Sequence, residues 1–262
     1  MMELIYVTVS SMKELTSDRV RPIAGSVALV TGANRGLGAA YARELLGRGA
    51  AKVYAAVRDP ATITDPRLIA VQMDLTDRRS IARAASRAHD VTLVINNAGV
   101  LTGTATLGDE AGLRQELEVN YLGPVAVTRA FAPVLAANGG GALVNVLSVL
   151  SWLSFPGAGG YSSAKAAMWA ATNSLRQTLL GQGTLVTAVH VGYIDTDMSA
   201  SVTAPKTSPD VVAAQTLDAV EAGEPEVLVD DVTRQVRAAL SGPLRDLYPS
   251  IASTESLARV SR

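Results

Sequence analysis

The chain has 262 residues, of which 48% are hydrophobic and 18% are charged, and its formal net charge is −1. This length fits one large α/β domain or, less readily, two small ones. The near-neutral charge and the lack of a basic tract give no indication of a nucleic-acid partner, and the lack of cysteine excludes disulfides and thiolate metal sites.

The first elements are arranged around one glycine-rich turn. Residues 1–24 show no sustained period and are expected to be a loose N-terminal extension. Residues 26–30 are apolar and rich in β-branched side chains, as in a strand buried on both faces. The turn at 31–38 follows, then a predicted helix over 39–46 and a second strand over Lys52–Val57. This order predicts a right-handed βαβ unit.

The same alternation continues along the rest of the chain. Further strands are predicted over 68–72, 91–95, 141–147, Leu185–His190 and 226–229. Further helices are predicted over 80–88, 109–120 with a continuation to 137, 161–180, 208–222 and 231–240. Pro133 is expected to bend the continuation or to lie near a boundary. No repeat or linker divides the chain, so residues 25–262 are predicted to form one doubly wound parallel sheet with helices on both faces.

Gly32, Gly36 and Gly38 form the turn between the first strand and its helix, with the spacing G-x-x-x-G-x-G. One glycine can allow the tight turn, another the approach of a pyrophosphate, and the third close packing of helix and strand. The helix N-terminus then offers unpaired N–H groups to phosphate. Because the spacing differs from G-x-G-x-x-G, a glycine turn without a ligand stays an alternative.

The end of the second strand should distinguish NAD from NADP. The discriminating position is Val57, followed by Arg58, and Arg35 lies in the glycine turn. Two guanidinium groups could bracket a 2′-phosphate, whereas Asp59 would bind a ribose hydroxyl if the register shifted by one residue. The sequence therefore predicts NADP(H), with NAD(H) as the alternative.

Tyr161 and Lys165 are four residues apart in a predicted helix, so both side chains can point at one target. A nearby cation favours the phenolate, which would lower the pKa of Tyr161 from its reference of about 10 and make the phenol a general acid or base. An exposed Tyr and an exposed Lys on a helix surface would give the same spacing. The order of the other motifs along the chain favours the catalytic interpretation.

In that order the chain resembles the short-chain dehydrogenase/reductase family. The resemblance rests on Thr31-Gly32-x-x-x-Gly36-x-Gly38, Asp74-Leu75, Asn96-Asn97-Ala98-Gly99, Asn120, Ser148 and Tyr161-x-x-x-Lys165. Several independent short motifs in one order are far more specific than any one of them. The resemblance implies a Rossmann-type sheet of about seven strands in the order 3-2-1-4-5-6-7.

The resemblance also implies roles for single residues. Tyr161 would be the acid that protonates the carbonyl oxygen, Ser148 would orient and polarise that oxygen, and Lys165 would lower the tyrosine pKa and bind the nicotinamide ribose. Asn120 would hold, through its backbone, a water of a proton relay. The expected cofactor contacts are Gly32, Asn34, Arg35, Gly36, Leu37, Gly38, Arg58, Asp74, Leu75, Asn97, Ala98, Gly99, Tyr161, Lys165, Ile194 and Thr196.

One departure from the family pattern follows the sixth strand, where the usual Pro-Gly is replaced by Val191-Gly192. Losing the proline puts the shape of the pocket in doubt more than the chemistry. A short substrate lid is expected near 197–207. Leu150, Trp152, Tyr193 and Met198 are predicted to line an apolar pocket, with Leu101, Leu153 and Phe155 as further candidates; ordinary core packing is the alternative for each.

The main functional hypothesis is an NADPH-dependent carbonyl reductase or alcohol dehydrogenase acting on an apolar aldehyde, ketone or secondary alcohol. The alternatives are an NAD-dependent alcohol or hydroxysteroid dehydrogenase and a non-catalytic dinucleotide-binding regulator. No metal site is expected, and no apolar run reaches the roughly 18 residues of a membrane span. We expect a cytoplasmic homodimer or homotetramer with a small-molecule substrate and no nucleic-acid or membrane partner.

Overall fold

The computed structural model describes residues 21–249, in which seven strands form one sheet in the order β3-β2-β1-β4-β5-β6-β7. Every neighbouring pair of strands is parallel. The strands are β1 (Val27–Thr31), β2 (Lys52–Val57), β3 (Ile69–Gln72), β4 (Leu93–Asn96), β5 (Ala142–Val146), β6 (Leu185–His190) and β7 (Glu226–Leu228). The predicted fold and strand order are confirmed.

Helices cover both faces of the sheet. They are α1 (Gly36–Gly47), α2 (Arg78–Arg87), α3 (Glu110–Leu117), α4 (Gly123–Ala137), α5 (Gly159–Thr178), α6 (Pro209–Ala222), α7 (Asp231–Ala239) and α8 (Leu244–Leu247). Side chains of α1 and α6 share one buried cluster with alternate residues of the strands, and those of α2 and α4 share the cluster on the opposite face. Successive residues of β1 enter opposite clusters, Ala28 and Val30 in one and Leu29 in the other, which explains the unbroken apolar runs.

The predicted helix over 109–120 and its continuation to 137 are interrupted. A π-helical turn over Glu118–Leu122 separates α3 from α4, and Pro124 lies in the first turn of α4. Proline suits that position because its missing N–H would have no partner in the first turn of a helix. Pro133 lies inside α4 rather than at a boundary.

The end of the predicted N-terminal extension packs against the domain. Ile23 is 1% exposed, and the guanidinium of Arg21 donates to the carbonyl oxygens of Gly141 and Gly183, both at 3.0 Å. The expectation of a loose segment is therefore wrong for residues 21–24, and the rest of it lies outside the described residues. Within residues 21–249, no helix combines the length and the apolar character that crossing a membrane requires.

Candidate active site

The glycine turn has the geometry that phosphate binding requires. Gly32 has φ +69°, a left-handed conformation that favours glycine, and an added Cβ on Gly38 would lie 2.1 Å from the carbonyl oxygen of Gly32. The turn can therefore close tightly only with glycine at both positions. Among the described residues, no side chain caps the N-terminus of α1 at Arg35. The first N–H groups of this 12-residue helix are left for an anion.

The crevice beside this turn lies between β1 and β4, where the strand order reverses. Thr31 accepts hydrogen bonds through Oγ1 from the N–H groups of Asn97 and Ala98, both at 3.0 Å. The amide of Asn97 donates to the carbonyl oxygen of Thr31 at 2.9 Å. These bonds hold the two strand ends together, so the predicted cofactor residues Asn97 and Ala98 lie beside the glycine turn.

The end of β2, which should distinguish NAD from NADP, lies at the predicted residue. The strand ends at Val57, and Arg58 is exposed with no hydrogen bond or ion pair to any residue of 21–249. Asp59 accepts from the N–H of Ala61 at 3.0 Å and so caps a short 3₁₀ turn. Arg35, in contrast, forms an ion pair: its guanidinium lies 2.9 Å from the carboxylate of Asp197. Asp74 holds its own turn through Thr76, with one carboxylate oxygen accepting two hydrogen bonds.

Ser148, Tyr161 and Lys165 come together at the ends of β5 and α5. Ser148 is buried two residues after the end of β5 and caps a 3₁₀ turn, and its hydroxyl is close enough to the Tyr161 phenol to lower the pKa of that phenol. Lys165 is 5% exposed, lies 5.6 Å from the centroid of the Tyr161 ring and donates from Nζ to the carbonyl oxygen of Val146 at 2.8 Å. The structure thus joins the three residues that the sequence proposed as a unit.

The predicted lowering of the tyrosine pKa is wrong for the cofactor-free chain. Burial raises the pKa of Tyr161 to about 12, the Ser148 hydroxyl opposes this rise, and the charge of Glu116 adds to it. Burial also lowers the pKa of Lys165 to about 8. Both shifts favour the neutral form, because removing either group from water disfavours its charge more than their proximity favours it.

Asn120 belongs to the π-helical turn between α3 and α4. Its side-chain amide forms two hydrogen bonds with the backbone of Val100: it accepts from the N–H at 3.0 Å and donates to the carbonyl oxygen at 2.8 Å. Its backbone carbonyl lies in a widened turn, where the usual helical hydrogen bonds are displaced. The expected role for Asn120 was a backbone contact to water, and this geometry is compatible with that role.

Three comparisons with known proteins bear on this arrangement. The family model described as short chain dehydrogenase matches residues 26–207. A cis-4-hydroxycyclohexanecarboxylate dehydrogenase from Sinomonas cyclohexanicum is 36% identical over 68% of this chain and 77% of its own length. A short chain dehydrogenase from Burkholderia cenocepacia J2315, solved in complex with NADP, is 40% identical, with a TM-score of 0.84 over 88% of this chain and 99% of that chain.

The chain belongs to the short-chain dehydrogenase family. A further relative, a dehydrogenase/reductase SDR family protein 7-like from Drosophila melanogaster, is 30% identical over 87% of this chain and 78% of its own length. The protein is therefore an NAD(P)-dependent oxidoreductase acting on CH–OH or C=O groups. Within residues 21–249, no group of three or more His, Asp or Glu side chains is arranged to hold a metal ion.

Sequence reasoning missed a buried carboxyl group beside the tyrosine of this dehydrogenase. Glu116 is 0% exposed; Oε1 accepts from the N–H of Thr102 at 2.7 Å, and Oε2 has no hydrogen-bond partner among the described residues. An added Cβ on Gly160, which precedes Tyr161, would lie 2.3 Å from Oε2. A signal was present, because Glu116 is an acidic residue one helical turn before Asn120, but its burial depends on tertiary packing.

The predicted pocket residues differ in their exposure. Tyr193 is 46% exposed and Met198 is 49% exposed, as expected for side chains at the mouth of a site, and Leu150 is half-buried. Trp152 is also half-buried, and its ring stacks on that of His190 with centroids 3.8 Å apart. The Arg237 guanidinium also lies over the indole, 5.8 Å from its centroid, and Trp169 packs edge-on at 6.1 Å, so Trp152 is packed against protein on several sides.

The predicted lid of this short-chain dehydrogenase has a fixed base. Ile194 and Thr207 form a parallel bridge, with Asp195 N–H donating to the Thr207 carbonyl at 2.9 Å and Thr207 N–H donating to the Tyr193 carbonyl at 2.8 Å. A Cβ on Gly36 would lie 3.2 Å from Cγ2 of Thr196. The predicted cofactor residue Thr196 is thus next to the glycine turn.

Proposed function

We propose that the protein is an NADP(H)-dependent carbonyl reductase and alcohol dehydrogenase that transfers a hydride between nicotinamide and an apolar aldehyde, ketone or secondary alcohol. One observation carries the proposal: Ser148, Tyr161 and Lys165 are brought together, since the Ser148 hydroxyl lowers the pKa of the Tyr161 phenol and the buried amine of Lys165 lies 5.6 Å from the centroid of the Tyr161 ring. Two adjacent O–H groups can both donate to one carbonyl oxygen. Such donors stabilise the developing alkoxide more than the ketone.

Each group of the chain then has a defined task. The nicotinamide, when bound, supplies or receives the hydride. Tyr161 donates its proton to the substrate oxygen, and Ser148 holds that oxygen in place. Lys165 has two N–H donors beyond its bond to Val146, which suit the ribose hydroxyl groups, and its cation stabilises the phenolate left after proton transfer. The uncapped N-terminus of α1 would hold the pyrophosphate of the cofactor.

The protonation state of Tyr161 in the cofactor-free chain suits the proton-donating step of carbonyl reduction near neutral pH. A phenol with a pKa of about 12 is protonated across the neutral range, and carbonyl reduction requires the protonated form. Alcohol oxidation requires the phenolate as a base, so its rate is expected to increase as the pH is raised.

NADP(H) is proposed as the preferred cofactor because of Arg58. Its guanidinium follows β2 and is exposed, and it makes no ion pair in the described chain, although its charge helps to lower the pKa of Asp74; Asp59 is used to cap a turn. An arginine at this place suits a 2′-phosphate, and an acidic side chain would suit the 2′-OH of NAD. The Burkholderia cenocepacia relative, solved in complex with NADP, supports the same assignment.

The substrate class follows from the side chains at the carboxyl edge of the sheet. Leu101, Phe155, Tyr193 and Met198 are 40–51% exposed and come from the segments after β4, β5 and β6. An apolar wall with a few convergent polar groups is typical of small-molecule sites. The Sinomonas relative is named for a ring alcohol, so alicyclic secondary alcohols and their ketones belong in the substrate panel.

We also propose that the enzyme assembles as a homodimer or homotetramer. Leu117 and Leu122 are 37% and 41% exposed on the segment from α3 to α4, and α5 is rich in small residues that permit close helix packing. Light scattering at micromolar concentration tests this, and a monomeric mass would contradict it.

The proposed reaction is tested with a panel of apolar aldehydes, ketones and secondary alcohols, followed by NADPH absorbance. We expect turnover with NADPH to exceed turnover with NADH, and Tyr161→Phe to lose about 10³-fold in kcat while still binding NADPH. A Tyr161→Phe variant as active as the parent would remove the mechanism. A higher kcat/KM for NADH would favour the alternative, an NAD-dependent alcohol dehydrogenase. NADPH binding without turnover of any panel member would favour a regulator.

A further inference from the structure

His190 is a fully buried imidazole directly behind the reaction centre. It ends β6 and is 0% exposed. Its Nδ1 lies 3.3 Å from the backbone carbonyl oxygen of Ser148, and its ring stacks on Trp152 with an angle of 17° between the planes. One side chain therefore contacts both the residue that carries the proposed polarising hydroxyl and the indole that follows it.

The contact with Ser148 fixes which nitrogen of His190 carries the proton. A carbonyl oxygen only accepts hydrogen bonds, so Nδ1 is the donor and Nε2 is unprotonated. Nε2 has no hydrogen-bond partner in residues 21–249, and Oε1 of Glu226 lies 3.7 Å from it, beyond hydrogen-bonding distance. The geometry therefore defines a single tautomer.

The imidazole stays neutral over the working pH range. Burial lowers the pKa of His190 to about 3, the hydrogen bond to Ser148 opposes this, and the cations Arg176, Arg237 and Lys165 lower it further. Glu226 faces the ring but is itself paired with Arg237 at 3.1 Å. His190 is thus a fixed donor and not a proton carrier.

We propose that His190 is a positioning residue for Ser148. Its Nδ1–H holds the backbone carbonyl of Ser148, and its ring supports Trp152, so that the hydroxyl and the adjacent wall share one buried support. The inference rests on the proposed function, in which Ser148 orients the substrate oxygen.

Several hydrogen bonds around Ser148 determine the orientation of its hydroxyl group, and the bond from His190 is one of them. The β5–β6 ladder continues on both sides of Ser148, from Leu147 N–H to Val189 at 2.8 Å and from Val149 N–H to Val191 at 3.0 Å. The Ser148 hydroxyl also accepts from Leu150 N–H at 3.1 Å, a bond within the 3₁₀ turn that competes for its orientation. The Ser148 carbonyl oxygen accepts from Ser151 N–H at 2.9 Å as well as from His190 Nδ1, so the imidazole is the side-chain donor that adds to this backbone bond and further limits rotation of Ser148.

The first test measures the tautomer in the parent protein and needs no substrate. The sequence has two histidines, so ¹⁵N-histidine labelling gives two ring spectra, and a His89→Asn variant, which removes the exposed histidine, assigns them. We expect His190 to show protonated Nδ1 and unprotonated Nε2, unchanged from about pH 5 to 8. A proton on Nε2, or titration in this range, would overturn the proposal.

The second test separates the two nitrogens by substitution. Asparagine at position 190 places an amide donor near the position of Nδ1, whereas glutamine places it near Nε2. We expect His190→Asn to stay within about threefold of the parent in kcat, and His190→Gln to lose about 10- to 100-fold with an unchanged KM for NADPH. Equal kcat values for the two variants would mean that His190 only packs.

A double-mutant cycle with Ser148→Ala shows whether His190 acts through Ser148. In the Ser148→Ala background we expect His190→Gln to have no further effect on kcat. Full additivity would refute the positioning role even if both single variants are slow. A Ser148→Ala variant with parental activity would instead refute the role given to Ser148 in the proposed function, and the tautomer measurement would still judge the contact made by His190.

Discussion

The glycine turn and the reaction centre lie at the same edge of the sheet but are built differently. The turn is formed by backbone atoms. Gly32 and Gly38 pack so closely that a Cβ on Gly38 would clash with the Gly32 carbonyl oxygen, and the groups available to a ligand are the first N–H groups of α1. The reaction centre is formed by side chains. Burial raises the pKa of Tyr161 and lowers the pKa of Lys165, so it favours the neutral form of each group. The cofactor side thus depends on shape, and the chemical side depends on charge.

The difference predicts how each region fails. A backbone site is damaged by any added atom, whatever its charge, and the damage appears in cofactor binding. A charge-dependent site tolerates changes of shape better, and its damage appears in kcat and in pH dependence. Substitutions in the two regions should therefore separate by the parameter they change.

The largest effect is expected from Gly38→Val. Its Cβ would lie 2.1 Å from the Gly32 carbonyl oxygen and 2.6 Å from Nδ2 of Asn97, so the turn has to open. We expect loss of measurable NADPH binding and a decrease of about 1–3 kcal/mol in the free energy of unfolding. Fluorescence titration with NADPH and urea unfolding measure the two quantities.

Gly47→Ala is the matched control on the same helix. A Cβ at Gly47 meets nothing within 4 Å, so this change should leave NADPH affinity unchanged and stability equal or slightly higher. If Gly38→Val bound NADPH as tightly as Gly47→Ala, the turn would not be the cofactor site.

The same contrast explains what the sequence could predict. The end of β2 at Val57 follows from local patterns, whereas the strand order and the unit of Ser148, Tyr161 and Lys165 came from the family resemblance; the structure has the strand order and brings the three residues together. The direction of the tyrosine pKa did not follow. It depends on how deeply the phenol is buried and on Glu116, and no local pattern gives tertiary burial.

Lys165→Met should produce the next largest effect: it should lower kcat and raise the free energy of unfolding. Losing the cation that stabilises the phenolate and binds the ribose should lower kcat by about 10²-fold. The pKa of Lys165 is about 8 in the folded chain, against 10.5 for a lysine side chain in water, which corresponds to about 3 kcal/mol of destabilisation at neutral pH. After about 1 kcal/mol for the lost bond to Val146, the variant should be more stable by about 2 kcal/mol near neutral pH.

This stability difference should depend on pH in a defined direction. The unfolded chain binds more protons than the folded chain between the folded and unfolded pKa values of Lys165. The parent therefore gains stability relative to Lys165→Met as the pH rises from about 8 to about 10. Urea unfolding of both cofactor-free proteins at the neutral and the alkaline end of this range measures the change. A gap between them that is constant with pH would mean that the amine is not desolvated in the folded protein.

Arg58→Ala tests the polar part of the cofactor side and should have a smaller effect. Removing the free guanidinium should lower the ratio of kcat/KM for NADPH over NADH by about tenfold, through KM, because a charge-assisted hydrogen bond to the 2′-phosphate is lost. Arg234→Ala is the control: this arginine on α7 is half-exposed and bound to Asp231. If Arg58→Ala left the ratio of kcat/KM for NADPH over NADH unchanged, Arg35 would be the residue that distinguishes the two cofactors.

Glu116→Gln should have the smallest effect at neutral pH and still distinguishes shape from charge within the reaction centre. Glutamine keeps an oxygen acceptor for Thr102 N–H but removes the charge that raises the pKa of Tyr161. We expect less than about a threefold change in carbonyl reduction at neutral pH, where the phenol stays protonated either way. The basic limb of kcat/KM should move to lower pH, and alcohol oxidation should become faster below that limb.

The control for this charge is Glu110→Gln on the same helix, where the carboxylate is 75% exposed and paired with Arg114. Solvent screens that charge, so its removal should leave both pH profiles unchanged. If Glu116→Gln also left them unchanged, Glu116 would act on the tyrosine only through packing at Gly160, and the electrostatic account of the reaction centre would have to rest on burial alone. A basic limb that moved to higher pH would reverse the sign of the interaction, and Glu116 would then be a donor to the phenolate.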